Sequence, residues 1–262
     1  FFPILFGSFF QQLYNTTDAV IVGNFVGKEA LAAVGGSTGT LINLLVGFFV
    51  GLSSGATVMV AQYYGAQQPQ EVSKAVHTAM ALSIASSVFL TVLGIAVAPW
   101  ALRAMGTPED IMDYAVTYMR IYFGGTLFSL VYNMGASILR AVGDSKRPLY
   151  FLIASTGVNI VLDLLFVVVF KLEVLGVAVA TVLSQVFSAV LVVIVLVRTE
   201  MPYRLVFRKI RFHMDSLKQI VRIGIPAAFQ SAMYSISNVI IQSSINSFGT
   251  DVVAAWTAYG KI

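Results

Sequence analysis

The sequence predicts an all-α membrane protein, a polytopic helical bundle, and three observations predict it. Hydrophobic residues make up 58% of the chain and charged residues 11%, whereas an ordinary soluble domain carries about 25% charged residues. Apolar stretches of about 20 residues, the length that crosses a bilayer, follow one another along the chain. The pattern of the opening segment also returns after residue 217, as in membrane proteins built from repeated halves. The chain has no cysteine, which excludes disulfide frameworks and thiolate chemistry. His77 and His213 stand apart in the sequence, which argues against a histidine metal site.

Taken in order, helices are expected near 1–24, 36–64, 71–98, 111–139, 148–170, 174–197 and 217–247, and an eighth begins near 252. The chain opens on Phe1 without a Met, a basic leader or a cleavage site, and stops within an apolar stretch at Ile262. It is read as a fragment. Seven of the sixteen Lys and Arg residues, Arg198, Arg204, Arg208, Lys209, Arg211, Lys218 and Arg222, lie in and beside the connection between the sixth and seventh helices. That connection is expected to be cytoplasmic, because cytoplasmic loops carry the excess of positive charge. Arg140, Lys146 and Arg147 then fall on the same side, and Glu109, Asp110 and Asp113 outside.

An offset of 223 pairs Pro3 with Pro226, Phe6 with Phe229, Ser8 with Ser231, Asn15 with Asn238 and Phe25 with Phe248. One residue less then pairs Ala32 and Ala33 with Ala254 and Ala255. Six spans separate the copies, so both start on the same face of the membrane, as in parallel repeats. The expected organisation is a six-helix N-terminal lobe over 1–197, a basic cytoplasmic linker over 198–216, and the start of a pseudo-symmetric C-terminal lobe over 217–262. The full protein would have twelve helices. Pro3, like Pro226, is expected inside a helix, where it removes a backbone hydrogen bond and permits a hinge.

Function is signalled by Asp18 and Asp163, the acidic residues set within long apolar stretches. A charge at bilayer depth costs roughly 2.5–3.5 kcal/mol on insertion scales, so stability does not explain it. Gln11, Tyr14, Asn15 and Asp18 recur at i, i+3, i+4 and i+7, which places them on one helical stripe. Asn159 and Asp163 repeat the spacing at i and i+4. The position matching Asp18 in the second copy is Ile241. Gln230, Tyr234, Asn238 and Gln242 form a polar stripe there, better suited to hydrogen-bonding a substrate or a partner helix than to titrating.

With Gln11-x-x-Tyr14-Asn15-x-x-Asp18, Gly106-Thr107-Pro108-Glu109, Leu139-Arg140-Ala141-x-Gly143-Asp144-x-Lys146-Arg147-Pro148, Asn159-x-x-x-Asp163 and Gly176-Val177-Ala178-x-Ala180-Thr181 in this order, the chain resembles the multidrug and toxic compound extrusion (MATE) family. The likeness is to its prokaryotic DinF-like branch, and it runs the whole length. The resemblance implies an exporter with two lobes around a central cavity, passing small amphipathic or cationic compounds out of the cell against H+ or Na+. It implies a cation site at Asp18, Asp163, Asn159 and Thr181, with Tyr14 and Asn15 beside it. Sodium would take Asp oxygens, the Asn carbonyl and the Thr hydroxyl there. A substrate cavity is expected at Gln11, Gln230, Tyr234 and Asn238.

Two carboxyls sharing a desolvated pocket hold a proton near neutral pH, and residue types alone do not choose between the two ions. The expected setting is the inner (plasma) membrane, with the lipid bilayer as partner and the full-length protein monomeric. No cofactor beyond the coupling ion, no catalytic residue and no nucleic-acid partner are expected. A lipid-linked precursor flippase is the alternative, although such proteins carry several cavity arginines. An intramembrane aspartyl protease is more remote, because the Gly-x-Gly-Asp signature is absent.

Overall fold

The computed structural model describes residues 2–260, and within them all side chains except those of residues 2–5, 8, 14 and 15. Ten α-helices account for most of the described chain, and no strand occurs among the described residues. Helix α1 (Phe2–Ile21) passes into a π-helical segment, Val22–Val26. Next come α2 (Lys28–Gly35), α3 (Ser37–Gly65) and α4 (Pro69–Ala104). Helices α5 (Glu109–Gly124) and α6 (Thr126–Ala141) are separated by Gly125 alone. Helix α7 (Lys146–Asp163) continues as a second π segment, Leu164–Val169, and α8 (Glu173–Arg198) follows. An irregular strap leads to α9 (Met214–Asn246) and α10 (Thr250–Tyr259). The stretches 28–65, 69–104, 146–169 and 173–198 are long and apolar enough to cross a membrane.

Three boundaries differ from expectation. The segment expected as one helix over 111–139 breaks at Gly125, where the side chain of Val182 occupies the place a Cβ would take. The helix expected to end near 98 runs on to Ala104 with Pro99 inside it. Proline costs one backbone bond without forcing a stop when the neighbours hold the rod in place. Residues 28–35, taken as a connection, form α2, which packs against α3, α5 and α10.

The repeat has a geometric counterpart. Gly27 (φ 124°) precedes α2 and Gly249 (φ 87°) precedes α10, both in the left-handed region that side chains rarely adopt. They correspond at an offset of 222, whereas Phe25 and Phe248 correspond at 223. The extra residue of the first copy falls at the end of the π segment, where Gly27 N–H donates to Val22 O, five residues back, at 3.0 Å. A π turn holds one residue more than an α turn, so the wide turn absorbs the one-residue slip.

Close backbone approach governs the packing of α3 on α9. A Cβ at Gly51 would meet the backbone of Ala228, and one at Gly55 the backbone of Ile220 and Gly224. The four-residue glycine spacing of α3 is therefore a small-residue ridge that lets two helices touch along their backbones. Elsewhere the ring of Phe123 fills the gap left by Gly94, and Thr91 Oγ1 donates to Phe123 O at 2.8 Å.

Candidate cation site and central cavity

Helices α1 and α7 pack side by side, and their π segments also touch. This brings the two acids together. Asp18 acts on Asp163 directly, through charge and side-chain contact. Asp163 is fully buried, and neither of its oxygens completes a well-formed hydrogen bond among the described residues. Asn159, one turn earlier on the same face of α7, is 1% exposed, and neither end of its amide has a partner among the described residues. Thr181 Oγ1 on α8 is likewise buried without one. Each acid is followed by a π turn, four residues after Asp18 and immediately after Asp163. Such wide turns inside α-helices occur frequently at functional sites.

Beside this pair lies a cavity of about 420 Å³ in the bundle, reached by Gln11, Asp18 and Thr181. Gln11 and Asp18, two turns apart on α1, share the stripe that their spacing predicted. Tyr14, Asn15 and the hinge proposed at Pro3 fall among the side chains outside the described set. Asn159 and Asp163 do not line the cavity; they are enclosed next to it, one and two turns along α7 from the lining residue Ser155.

The stripe of α9 is split. Gln230 is exposed, Tyr234 is 74% exposed, and neither lines the central cavity. Asn238 borders a separate cavity of about 200 Å³ with α3 and α10. Gln242 is buried, where its amide donates to Asn246 Oδ1 at 2.9 Å.

Several lining residues escaped the sequence reading. Ser184, Gln185 and Ser188 continue the Thr181 face of α8 at i+3, i+4 and i+7, a spacing that was available in the sequence. Tyr118 and Tyr122, at four-residue spacing on α5, stack at 6.3 Å with 22° between planes and line the cavity. Tyr114 stays near the surface and donates to Glu173 at 2.8 Å. No Lys or Arg lines the cavity among the described residues. Acid oxygens, amides, hydroxyls and aromatic faces form a wall suited to a cation or an amphipathic base rather than an anion.

The fold and this buried polar interior define a multi-pass helical membrane protein. A family model for MatE matches residues 3–165. The chain belongs to the multidrug and toxic compound extrusion family. Similar proteins include the Bacillus subtilis (strain 168) "Probable multidrug resistance protein YoeA", 31% identical over 99% of this chain and 58% of its own length. "Probable multidrug resistance protein YpnP" of the same organism is 29% identical over 99% and 58%. Among solved structures, the inward-facing conformation of a multidrug resistance MATE family transporter of the MOP superfamily superposes with a TM-score of 0.87. It shares 28% identity, over 95% of this chain and 56% of the other. The chain thus spans 58% of the length of these two curated relatives.

Proposed function

We propose that the full protein is a secondary active exporter that moves small amphipathic or cationic compounds outward across the plasma membrane, acting as a monomer, in exchange for H+ or Na+. The observation that carries this reading is the meeting of Asp18 and Asp163 inside the bundle, beside a polar cavity free of basic side chains among the described residues. Two adjacent carboxyls are poorly tolerated with both charged, so a proton or a small cation is the natural third party. The Asp163 oxygens, Asn159 Oδ1 and Thr181 Oγ1, all buried, are donor types that also fit sodium.

Ion binding neutralises the pair, and α1, joined to the rest through its π turn and Gly27, changes its lean against α7. The substrate site is altered as a result. Coupling requires that ion and substrate favour different arrangements, because a ligand that binds both equally shifts nothing. The basic strap end is cytoplasmic in this reading. A flippase for anionic lipid precursors fits less well, as the cavity offers no cationic side chain to a phosphate among the described residues.

The test is export by the full-length protein in everted vesicles. Asp18→Asn and Asp163→Asn are each expected to abolish ion-driven transport while leaving membrane insertion intact, and undiminished export by either would end this reading. Collapsing the proton and the sodium gradients in turn identifies the driving ion.

A further inference from the structure

We propose that the strap joining α8 to α9, residues 199–213, is a docking surface for anionic phospholipid headgroups. The strap is folded and two-sided. Tyr203 and Leu205 point inward, 7% and 2% exposed, and join the core formed by α3, α4, α6 and α8. Arg204, Phe207, Arg208, Lys209, Arg211 and Phe212 are all exposed.

Its backbone is pinned at the level of the helix ends. Leu205 N–H donates to Leu196 O in the last turn of α8 at 2.8 Å, and Arg204 Nε to Val197 O at 3.1 Å. Val206 N–H donates to His77 Nε2 at 3.0 Å, and His213 N–H to Thr78 Oγ1 at 3.1 Å, both partners lying two turns inside α4. The strap is therefore drawn back along the bundle to where membrane-crossing helices meet the headgroup layer, instead of hanging in water.

At that level its outward face combines two chemistries. Five basic residues, Arg198, Arg204, Arg208, Lys209 and Arg211, stand against the single acid Glu200 within 198–213, with Asp215 just beyond. None of the five takes part in an ion pair among the described residues. Phe207 is 63% exposed between Arg204 and Arg208, and Phe212, beside Arg211, and Met214 just beyond it are 43% and 62% exposed. A solvated basic loop has no use for exposed apolar side chains next to its cations. Aromatic groups set among lysines and arginines beside membrane spans are the pattern of segments lying in the headgroup layer, with rings at the acyl boundary and cations on phosphates.

The absence of cysteine from this chain makes a site-specific reporter straightforward. In the full-length protein, with any other cysteine removed, Phe207→Cys and Phe212→Cys are each spin-labelled and reconstituted in nanodiscs. The lipid is phosphatidylcholine alone or a mixture with phosphatidylglycerol. In the mixture the labels are expected to lose collisions with a water-soluble nickel chelate and gain collisions with oxygen. High salt should reverse the shift, since charge attraction at a surface is screened within about 8 Å at physiological ionic strength. Adding Arg208→Gln, Lys209→Gln and Arg211→Gln should abolish it.

Equal chelate exposure in both lipids would place the strap in water and overturn the proposal. Shielding from both agents in every lipid would mean that protein covers the strap, and would overturn it equally. A shift that survives the three substitutions would overturn the part played by charge. Gel filtration of the substituted protein checks that the bundle is intact.

Discussion

Asn246 shows how much one polar side chain can hold when it is buried in a helical bundle. Its amide nitrogen donates to Ser37 Oγ at 2.8 Å and to Met105 O at 2.7 Å, while its oxygen accepts from Gln242 Nε2 at 2.9 Å. Three segments, α3, the end of α4 and α9, meet on this residue, which is 4% exposed. Asn246→Leu keeps the volume and strands three partners. An unsatisfied buried polar group costs about 1–3 kcal/mol, so thermal unfolding in detergent should shift down by several degrees, whereas Asn238→Leu at an exposed site should leave it nearly unchanged. The residue was within reach of sequence reasoning, because it lies four positions beyond Gln242 on the stripe read there. Asp18 and Asp163 were easier to find, since a carboxylate in an apolar stretch is costly enough to stand out.

Among the elements, α3 and α9 approach backbone to backbone at Gly51, Gly55 and Gly224. Gly55→Val places carbon against the backbone of Ile220 and Gly224, and backbone cannot rotate aside as a side chain end can. The two helices must move apart, and disruption of this kind costs typically 1–3 kcal/mol or more. Gly65→Val, at a position with nothing within 4 Å of a Cβ, is the matched control. A large loss of thermal stability or of folded yield is expected from the first substitution alone; equal behaviour of the two would refute a backbone contact at Gly55. The π segments belong to the same scale. They follow the acid-bearing turns of α1 and α7, and in α1 the wide turn carries the residue by which the first copy of the repeat exceeds the second.

Across the whole molecule, the two ends are tied by different chemistry. At the end away from the strap, Lys28 pairs with Asp251 at 2.6 Å and Thr250 donates to Asp110 at 2.7 Å, joining the segments before and after the repeat boundary. These groups are exposed, and exposed pairs contribute little. At the strap end the ties run through histidines. His77 Nδ1 lies 2.6 Å from Ser73 O, and its Nε2 accepts Val206 N–H at 3.0 Å, so both ring nitrogens are engaged. His213 lies near Thr78 Oγ1 at 3.2 Å, and Arg211 donates to its Nε2 at 3.2 Å.

Burial, then the charges of Arg211, His77 and Lys74, hold the His213 pKa below its ordinary value of 6.5, with a smaller opposing effect from Glu71. A base with a depressed folded-state pKa binds its proton more readily when unfolded. Stability is therefore independent of this group above pH 6.5 and falls as pH drops below it. Unfolding temperatures of the full-length protein measured down through that range should decline more steeply for the wild type than for His213→Gln. Parallel declines would show that His213 plays no such part.

The sequence alone determined that the chain is a membrane-crossing helical bundle and that Asp18 and Asp163 are singular. Each of these follows from the cost of placing charge or bare backbone in hydrocarbon, a large energy that leaves its mark on composition. Only the tertiary structure decided which faces turn inward. Serine and threonine in a membrane helix satisfy themselves on the preceding turn, as Ser155 does on Leu152 O at 3.1 Å and Ser184 on Thr181 O at 2.8 Å. Such residues cost little in either orientation, so Ser184 and Ser188 looked no different from packing residues until α8 was set against α7 and the π segment that follows α1. The break at Gly125 and the seating of the strap on His77 were hidden for a related reason. Each depends on a partner distant in sequence, Val182 in one case and Val206 in the other, and local pattern carries no information about contacts across the bundle.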